Sequence, residues 1–253
     1  MCGAEDAALV GEVDCSRHPL YRKELPPTIR WLCCATCQHV FSDGYFGSET
    51  LTLLFSNAHQ GQLPGEELPR LASGREISAQ IIERINGFRE HKLSGRWLDV
   101  GFGNGALLTT AAEFGFDVVG LDVRHQAVDR LKEYGFEAHR AELMTFQSEA
   151  RFDVISLADV LEHMAFPGLA LQRAHGLLND HGLLFISMPN LESFMFQSLD
   201  RAGQNPYWGE LEHFHNFTRR TLFMLLRGAE FRPLSYGISL RYSACMEVIA
   251  QRV

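Results

Sequence analysis

Residues 96–106 read Arg-Trp-Leu-Asp-Val-Gly-Phe-Gly-Asn-Gly-Ala, and this stretch decides the fold. Trp97, Leu98 and Val100 are typical of a buried strand. The glycines that follow let the backbone turn sharply and approach a ligand closely, because no Cβ is in the way. The pattern predicts a strand that ends in a glycine-rich turn and leads into a helix. In an α/β sheet such a turn lies beyond the carboxyl end of a central strand, where ligands bind.

Two nucleotide-like ligands are compatible with this turn. Gly101, Gly103 and Ala106 satisfy the dinucleotide pattern G-x-G-x-x-G/A, and Asp122 follows about 20 residues on, as that pattern expects. S-adenosylmethionine (SAM) instead carries a cationic amino group, a carboxylate and a ribose diol. It therefore favours one acid near the turn, which Asp99 supplies, and another at the end of the next strand, which Asp122 supplies. Asp122 suits both ligands because both contain ribose, so Asp99 is the residue that favours SAM.

The rest of the chain alternates between apolar runs and segments with apolar residues at helical spacing. Strands are predicted near 96–101, 117–122, 136–140, 152–158, 182–188, 232–240 and 243–252, and helices near 77–88, 104–115, 125–134, 165–178 and 218–229. Repeated strand–helix alternation indicates an α/β fold with a mainly parallel sheet and helices on both of its faces.

Three segments after the glycine-rich turn carry further motifs. Residues 152–164 read FDVISLADVLEHM, an apolar strand followed by Leu-Glu-His. Residues 182–190 read GLLFISMPN, and residues 211–231 contain the pattern E-H-x-x-x-F-T-x-x-x-L. In this order the segments resemble class I SAM-dependent methyltransferases, in the small-molecule branch that includes ubiquinone O-methyltransferases and sugar methyltransferases. The resemblance covers about residues 75–253.

The resemblance implies both a fold and an activity. The fold is a Rossmann-like, seven-stranded, mainly parallel sheet whose final strand runs antiparallel. The activity is transfer of a methyl group from SAM to a small-molecule acceptor, with O-methylation favoured and C- or N-methylation also open. Two other functions stay open: a catalytically silent SAM-binding module, and an NAD(P)-dependent oxidoreductase, which would bind NAD and not respond to SAM.

Candidate site residues follow from the same motifs. The expected cofactor contacts lie in the turn and at strand ends: Asp99, Gly101, Gly103, Gly105, Asp122, Val123, Glu142, Leu157 and Ala158. Three histidines are candidates for a general base, because histidine titrates near neutral pH, and a structural role is the alternative for each: His163, His213 and His215. Glu162 is expected either to orient a histidine or to cap a helix. Residues 191–217 are expected to form a cap over the acceptor.

The chain has six cysteines, five of them near its start. Cys34-Ala-Thr-Cys37 has the C-x-x-C spacing that lets two thiolates bind one tetrahedral metal ion. The surrounding residues resemble a zinc knuckle found before the catalytic domain in many relatives, and Cys2 resembles the end of a first knuckle whose leading cysteine would precede residue 1. Cys2, Cys34 and Cys37 are the candidate ligands, and Cys15 or His18 is a candidate fourth. A structural zinc and ordinary free cysteines both stay open.

Composition and length bound the remaining possibilities. A chain of 253 residues fits one domain with a small appendage, and we expect an irregular cysteine-containing lobe and linker over 1–74 and the methyltransferase domain over 75–253. The formal net charge of −8 argues against a nucleic-acid groove. The chain contains neither an apolar run of membrane-spanning length nor the apolar core of a signal peptide. We therefore expect a cytoplasmic location without nucleic-acid or membrane partners, and the sequence predicts no particular oligomeric state.

Overall fold

The computed structural model describes residues 2–47, 50–51, 54–55, 62–66, 68–89 and 94–253. Its strands are β1 (Ala7–Asp14), β2 (Thr28–Cys34), β3 (Val40–Ser42), β4 (Arg96–Val100), β5 (Asp117–Asp122), β6 (Glu137–Arg140), β7 (Phe152–Ala158), β8 (Leu178–Pro189), β9 (His215–Asn216), β10 (Phe231–Ile238) and β11 (Cys245–Arg252). Its α-helices are α1 (Leu68–Asn86), α2 (Ala106–Glu113), α3 (His125–Glu133), α4 (Pro167–Leu177), α5 (Phe194–Arg201) and α6 (Arg219–Gly228). Short 3₁₀ turns cover Leu161–His163 and Pro206–Trp208.

Seven strands form the larger sheet in the order β10-β11-β8-β7-β4-β5-β6. The pairs among β8, β7, β4, β5 and β6 are parallel, whereas β11 is antiparallel to both β8 and β10. This is the mainly parallel, Rossmann-like sheet that the sequence analysis predicted. The antiparallel final strand implied by the resemblance is also confirmed.

Helices cover both faces of this sheet because successive side chains of each strand point to opposite sides. On β4, Trp97 packs on one face with the isoleucines of α1 and with residues of α2 and α3. Leu98 packs on the other face with residues of α4 and α6. Both side chains are fully buried, so the first strand of the motif that decides the fold lies in the middle of the core.

Four antiparallel strands form a second, smaller sheet in the order β1-β2-β3-β9. Sequence analysis expected an irregular lobe over these N-terminal residues, and the structure differs. Alternate burial explains the strand over residues 28–34, because Ile29 and Trp31 point inward and Arg30 points outward. β9 comes from the far end of the chain, where Val40 pairs with Asn216 and Phe41 with His215.

The other differences concern the bounds of elements. The helix expected from residue 77 begins at Leu68. Pro69 is tolerated in its first turn because the backbone N–H groups there make no hydrogen bond within the helix, so the N–H that proline lacks is not missed. The strand expected from residue 182 begins at Leu178. Part of the linker expected within 46–74 lies outside the described residues. Within the described residues, no helix has the length and apolar character needed to cross a membrane.

Candidate functional site

The glycine-rich turn has the conformation that its sequence demands. Gly101, Gly103 and Gly105 all have positive φ, at 64°, 60° and 77°. The backbone N–H of Gly101 donates to the carbonyl of Leu121 at 2.7 Å, which holds the turn against the end of β5. A Cβ on Gly101 would lie 2.7 Å from Cγ2 of Val160. A side chain at this position is therefore excluded both by the backbone angle and by its neighbour.

A cavity of about 780 Å³ opens at the carboxyl ends of β4, β5 and β7. Most of the expected cofactor contacts line it: Asp99, Gly101, Gly103, Asp122, Val123, Glu142 and Ala158. Two do not. Gly105 lies at the start of α2 as its N-cap, and Leu157 is fully buried in the core on one face of the sheet. The cavity has the size that small-molecule sites have.

Asp99 is buried at the end of β4. Its Oδ1 accepts a hydrogen bond from the Ser156 hydroxyl at 2.5 Å. Burial raises the pKa of Asp99 to about 7, because the carboxylate loses its hydration, while the hydrogen bond from Ser156 and the charge of Arg241 act in the opposite direction. A cationic group of a ligand beside Asp99 would favour its ionised form.

Asp122 lies at the end of β5, where Arg124 accompanies it. The Arg124 guanidinium donates to both carboxylate oxygens of Asp122, at 3.0 Å and 2.8 Å, and both side chains are buried. Arg124 also donates to the carbonyl of Gly103 at 3.1 Å, so it ties the glycine-rich turn to the acid. Sequence analysis missed Arg124. Its only sequence signal is a cationic residue two positions after the acid that ends the strand.

Two of the three candidate histidines, His163 and His213, line the cavity, and their ring centroids are 4.6 Å apart. Nδ1 of His163 lies 2.9 Å from the carbonyl of Glu212. Since a carbonyl only accepts, His163 carries its proton on Nδ1 and has its basic lone pair on Nε2. The two rings therefore occupy the side of the cavity where the predicted cap meets the Leu-Glu-His turn.

Glu162 lies beside these histidines and is almost fully buried. Burial, with the nearby charge of Asp159, raises its pKa well above the usual range. Among the described residues, its Oε2 has no hydrogen-bond partner. Ligand atoms of Glu162, His163 and His213 lie within 4.8 Å of one another, so this set can bind a divalent cation or exchange protons.

The third candidate histidine, His215, lies outside the cavity in β9. Its Nε2 donates to the carbonyl of Ala165 at 3.3 Å, so its Nδ1 accepts from Nε2 of His39 at 3.0 Å. Among the described residues, Nδ1 of His39 has no partner. Burial lowers the pKa of His39 to about 3 and that of His215 to about 4, so both rings are neutral near pH 7. The pair lies within the smaller sheet, where it joins His39 of the N-terminal lobe to β9, and through Ala165 to the segment that precedes α4.

The N-terminal lobe also contributes to the cavity, which sequence analysis did not predict. Tyr45 and Phe46, which follow β3, line the cavity together with Phe55. The ring of Phe55 meets that of His163 edge to face, with centroids 5.6 Å apart. His18 of the lobe bonds to Glu210, which also lines the cavity, at 3.1 Å. No local sequence pattern indicates these contacts, because they join residues far apart in the chain.

The three candidate metal ligands of the lobe come together. Sulfur atoms of Cys2, Cys34 and Cys37 lie within 4.8 Å of one another, and those of Cys2 and Cys34 are 3.5 Å apart. Backbone N–H groups of Cys37 and Thr36 donate to the Cys34 sulfur and lower its pKa to about 7. The two candidate fourth ligands lie elsewhere: Cys15 packs in the lobe core, and His18 bonds to Glu210.

Comparison with known proteins decides the family. The model of a family described as "Methyltransferase domain" matches residues 73–236, which is more than half of the chain. The chain belongs to this family. The family predicted from the sequence motifs is therefore confirmed.

Curated relatives carry the name ubiquinone biosynthesis O-methyltransferase. The protein of Caulobacter sp. (strain K31) is 30% identical over 129 residues, which cover 48% of this chain and 51% of that protein. The protein of Bordetella avium (strain 197N) is 31% identical over 144 residues, which cover 53% of this chain and 58% of that protein. The aligned region thus spans little more than half of the length of these relatives.

Solved structures share the fold. One is a Burkholderia thailandensis 1,6-didemethyltoxoflavin-N1-methyltransferase with bound 1,6-didemethyltoxoflavin and S-adenosylhomocysteine (SAH). It superposes with a TM-score of 0.61 at 19% identity over 87% of this chain and 97% of its own. Magnesium protoporphyrin IX methyltransferase from Synechocystis PCC 6803, with bound SAH, superposes with a TM-score of 0.56 at 15% identity, covering 83% of this chain and 90% of its own. At these identities the likeness supports the fold.

The His39–His215 pair gives a prediction for stability against pH. An unfolded histidine titrates near 6.5, so the unfolded chain binds more protons than the folded one between that pH and about 4. The free energy of unfolding should therefore fall as the pH falls through this range, by about 1–2 kcal/mol per histidine at about pH 5. Urea unfolding of the His39→Leu variant should show a smaller loss between about pH 7 and about pH 5 than the unsubstituted protein.

The exposed His125 provides the control. A His125→Gln variant should keep the full pH dependence, because its side chain is in solvent in both states. Equal pH dependence in the His39→Leu variant and the unsubstituted protein would contradict the assignment of a buried, neutral His39.

Proposed function

We propose that this protein transfers the methyl group of SAM to a small-molecule acceptor, and that O-methylation is the favoured reaction. The observation that carries the proposal is the meeting of Asp99 and Asp122 at adjacent strand ends around the glycine-rich turn, in one cavity with His163 and His213. When bound there, SAM supplies the methyl group of its sulfonium centre to the acceptor, and SAH is the other product. The protein holds the reactants in line and excludes water.

The cofactor end of the cavity fits the chemistry of SAM. Burial raises the pKa of Asp99 because it disfavours the charged carboxylate. A ligand ammonium group beside Asp99 would stabilise that carboxylate by forming an ion pair with it. Asp122 offers carboxylate oxygens to the two ribose hydroxyls, and Arg124 orients that carboxylate by donating to both of its oxygens. Val123, Glu142 and Ala158 line the cavity next to these acids and are proposed contacts of the adenosine part.

His163 is the proposed general base. Its Nδ1 is held by the Glu212 carbonyl, so Nε2 is the atom that takes a proton. Burial raises the pKa of the neighbouring Glu162 well above its usual range, so we do not assign Glu162 this role. An acceptor hydroxyl next to Nε2 would pass its proton to His163 while its oxygen attacks the methyl carbon. His213 is proposed to contact the acceptor, and His215, outside the cavity, is proposed to have a structural role.

The identity of the cofactor is tested by calorimetric titration of SAH and of NAD into the purified protein. We expect SAH to bind and NAD not to bind. The Asp122→Asn variant should weaken SAH binding about 10-fold or more, because hydrogen bonds to a charged group contribute about 1.5–3 kcal/mol. An Asp129→Ala variant, which removes an exposed carboxylate of α3, should bind SAH like the unsubstituted protein.

Binding of NAD and not of SAH would instead favour the hypothesis of an NAD(P)-dependent oxidoreductase. SAH binding without methyl transfer to any acceptor would favour a silent SAM-binding module.

The role of His163 is tested by transfer of labelled methyl groups from SAM into a deproteinised small-molecule extract. The His163→Gln variant should lower the rate about 10²-fold or more, because a positioned base contributes about 10²–10⁴. The exposed His125→Gln variant should keep the rate. If the His163→Gln variant reacts at a rate within threefold of the unsubstituted protein, the proton leaves by another route. If a metal chelator abolishes the activity of the unsubstituted protein, Glu162, His163 and His213 are assigned to a metal ion instead.

We further propose that Cys2, Cys34 and Cys37 bind a structural zinc ion. Three sulfurs within 4.8 Å match the ligand spacing of a tetrahedral site. The backbone N–H groups that donate to Cys34 favour its thiolate, the form that binds zinc. Burial raises the pKa of Cys37 to about 11, although the backbone N–H of His39 donates to its sulfur, so zinc would have to displace the proton of that thiol. Ordinary free thiols remain the alternative.

Elemental analysis of the purified protein tests this proposal. We expect about one zinc per chain in the unsubstituted protein and a loss of zinc in the Cys37→Ser variant, because a three-sulfur site that loses one thiolate binds zinc poorly. Cys33 provides a matched control one residue from the set, and the Cys33→Ser variant should keep its zinc. Absence of zinc from protein prepared with zinc in the medium would favour free thiols.

We also propose that the boundary between the lobe and the catalytic domain lies near residue 74, that the protein is located in the cytoplasm, and that it has no nucleic-acid or membrane partners.

A further inference from the structure

We infer that the methyl acceptor carries a protonated amine, which Glu212 and Glu210 bind at the end of the cavity next to His163. The inference rests on the proposed function, since it names the acceptor class of the same site. It starts from two carboxylates that the methyl-transfer reaction itself does not use.

Glu212 is the stronger of the two observations. Its side chain is buried, with the residue 5% exposed, and it lines the cavity. Among the described residues, its Oε2 has no hydrogen-bond partner. A buried carboxylate oxygen without a donor is costly to the folded protein, so a donor from a ligand would be bound strongly.

Glu212 also lies at the right place for an acceptor. Its backbone carbonyl holds Nδ1 of His163, and the backbone N–H of Phe214 donates to the carbonyl of Glu162. The segment that carries Glu212 is therefore joined on both sides to the Leu-Glu-His turn. A molecule bound by the Glu212 carboxylate would lie beside the proposed base.

Glu210 lines the same part of the cavity and is held in place by the lobe. Its Oε2 lies 3.1 Å from Nε2 of His18. Nδ1 of His18 accepts the backbone N–H of Leu20 at 3.2 Å, so Nε2 must carry the proton that Glu210 accepts. His18 thus orients Glu210 and leaves its other oxygen for a ligand.

The same hydrogen bonds disfavour a metal ion at this position. Ligand atoms of His18, Glu210 and Glu212 lie within 4.8 Å of one another, which is the spacing of a metal site. A metal ion needs the lone pair of Nε2, however, and in this tautomer Nε2 is protonated. An ammonium group has no such requirement, because it donates hydrogen bonds to carboxylates.

Charge and aromatic rings at this end of the cavity also suit a cation. Arg241, which also lines the cavity, pairs with Asp159 at 3.3 Å. Tyr45, Phe46 and Tyr207 line the cavity, and two of them contact the segment that carries Glu212: Phe46 meets Phe214, and Tyr207 stacks on His213. The negative face of an aromatic ring attracts a cation and is worth about 0.5–2 kcal/mol per contact.

The chemistry then defines the acceptor further. A protonated amine has no lone pair and cannot attack the methyl carbon, so the nucleophile is a different group of the same molecule. In the proposed reaction that group is a hydroxyl: its O–H proton goes to Nε2 of His163, an O–C bond to the methyl group forms, and the S–C bond of SAM breaks. The acceptor class is therefore an amino alcohol or an aminoalkyl phenol.

Three phenols of similar size that differ in charge test the inference on SAH-saturated protein. Calorimetry would compare tyramine (cationic), 4-ethylphenol (neutral) and 3-(4-hydroxyphenyl)propionate (anionic). We expect tyramine to bind about 10-fold more tightly than the neutral phenol, and the anionic phenol to bind most weakly. The isosteric Glu212→Gln variant should remove most of this preference and Glu210→Gln part of it. Glu83→Gln, an exposed position of α1, should keep it.

Several results would overturn the inference. Three results would overturn it while leaving the proposed function intact. They are equal affinities for the three phenols, tighter binding of the anionic phenol, and no measurable binding of tyramine to protein that binds SAH. Mn²⁺ binding that is lost in Glu212→Gln but kept in Glu83→Gln would assign the carboxylates to a metal ion instead. Failure to bind SAH would overturn the proposed function, and the acceptor class with it. Thermal unfolding of each variant would confirm that it is folded.

Discussion

The rest of the structure depends on the close approach of the glycine-rich turn to its two neighbours. The backbone N–H of Gly101 donates to a carbonyl at the end of β5. Gly101 also lies so close to Val160, which follows β7, that there is no room for a side chain between them. Because β4, β5 and β7 are parallel neighbours, this contact brings three strand ends together at one edge of the sheet. Asp99, Asp122 and the Leu-Glu-His turn owe their proximity to it.

This arrangement buries several acidic side chains, which is unfavourable for the folded protein. Asp99 and Glu162 have raised pKa values because their carboxyl groups are removed from water, and one oxygen of Glu212 has no donor in the described part of the chain. Asp122, by contrast, has a cationic partner in Arg124, which is buried with it. A fold selected for stability alone would place apolar side chains at such positions, and these are the positions to which the proposed function assigns ligand binding.

The sequence predicted those parts of the molecule whose signals are local. The strand from Trp97 to Val100, the turn and the acid at residue 122 each follow from short patterns, and all lie where the patterns require. Long-range contacts could not be predicted. His215 stands in the same stretch as His213, yet its pairing with His39 places it outside the cavity. β9 has two residues, too few for a periodic pattern, and it forms a strand only because β3 pairs with it.

The pairing of β3 with β9 has a consequence for the order in which the protein is made. Synthesis proceeds from the N-terminus, so Val40 leaves the ribosome more than a hundred residues before its partner Asn216. Until then β3 is an open strand edge of the kind that pairs with foreign chains. Completion of the lobe is thus a late folding event, and a nascent chain carries this unpaired edge until the segment with β9 has been made.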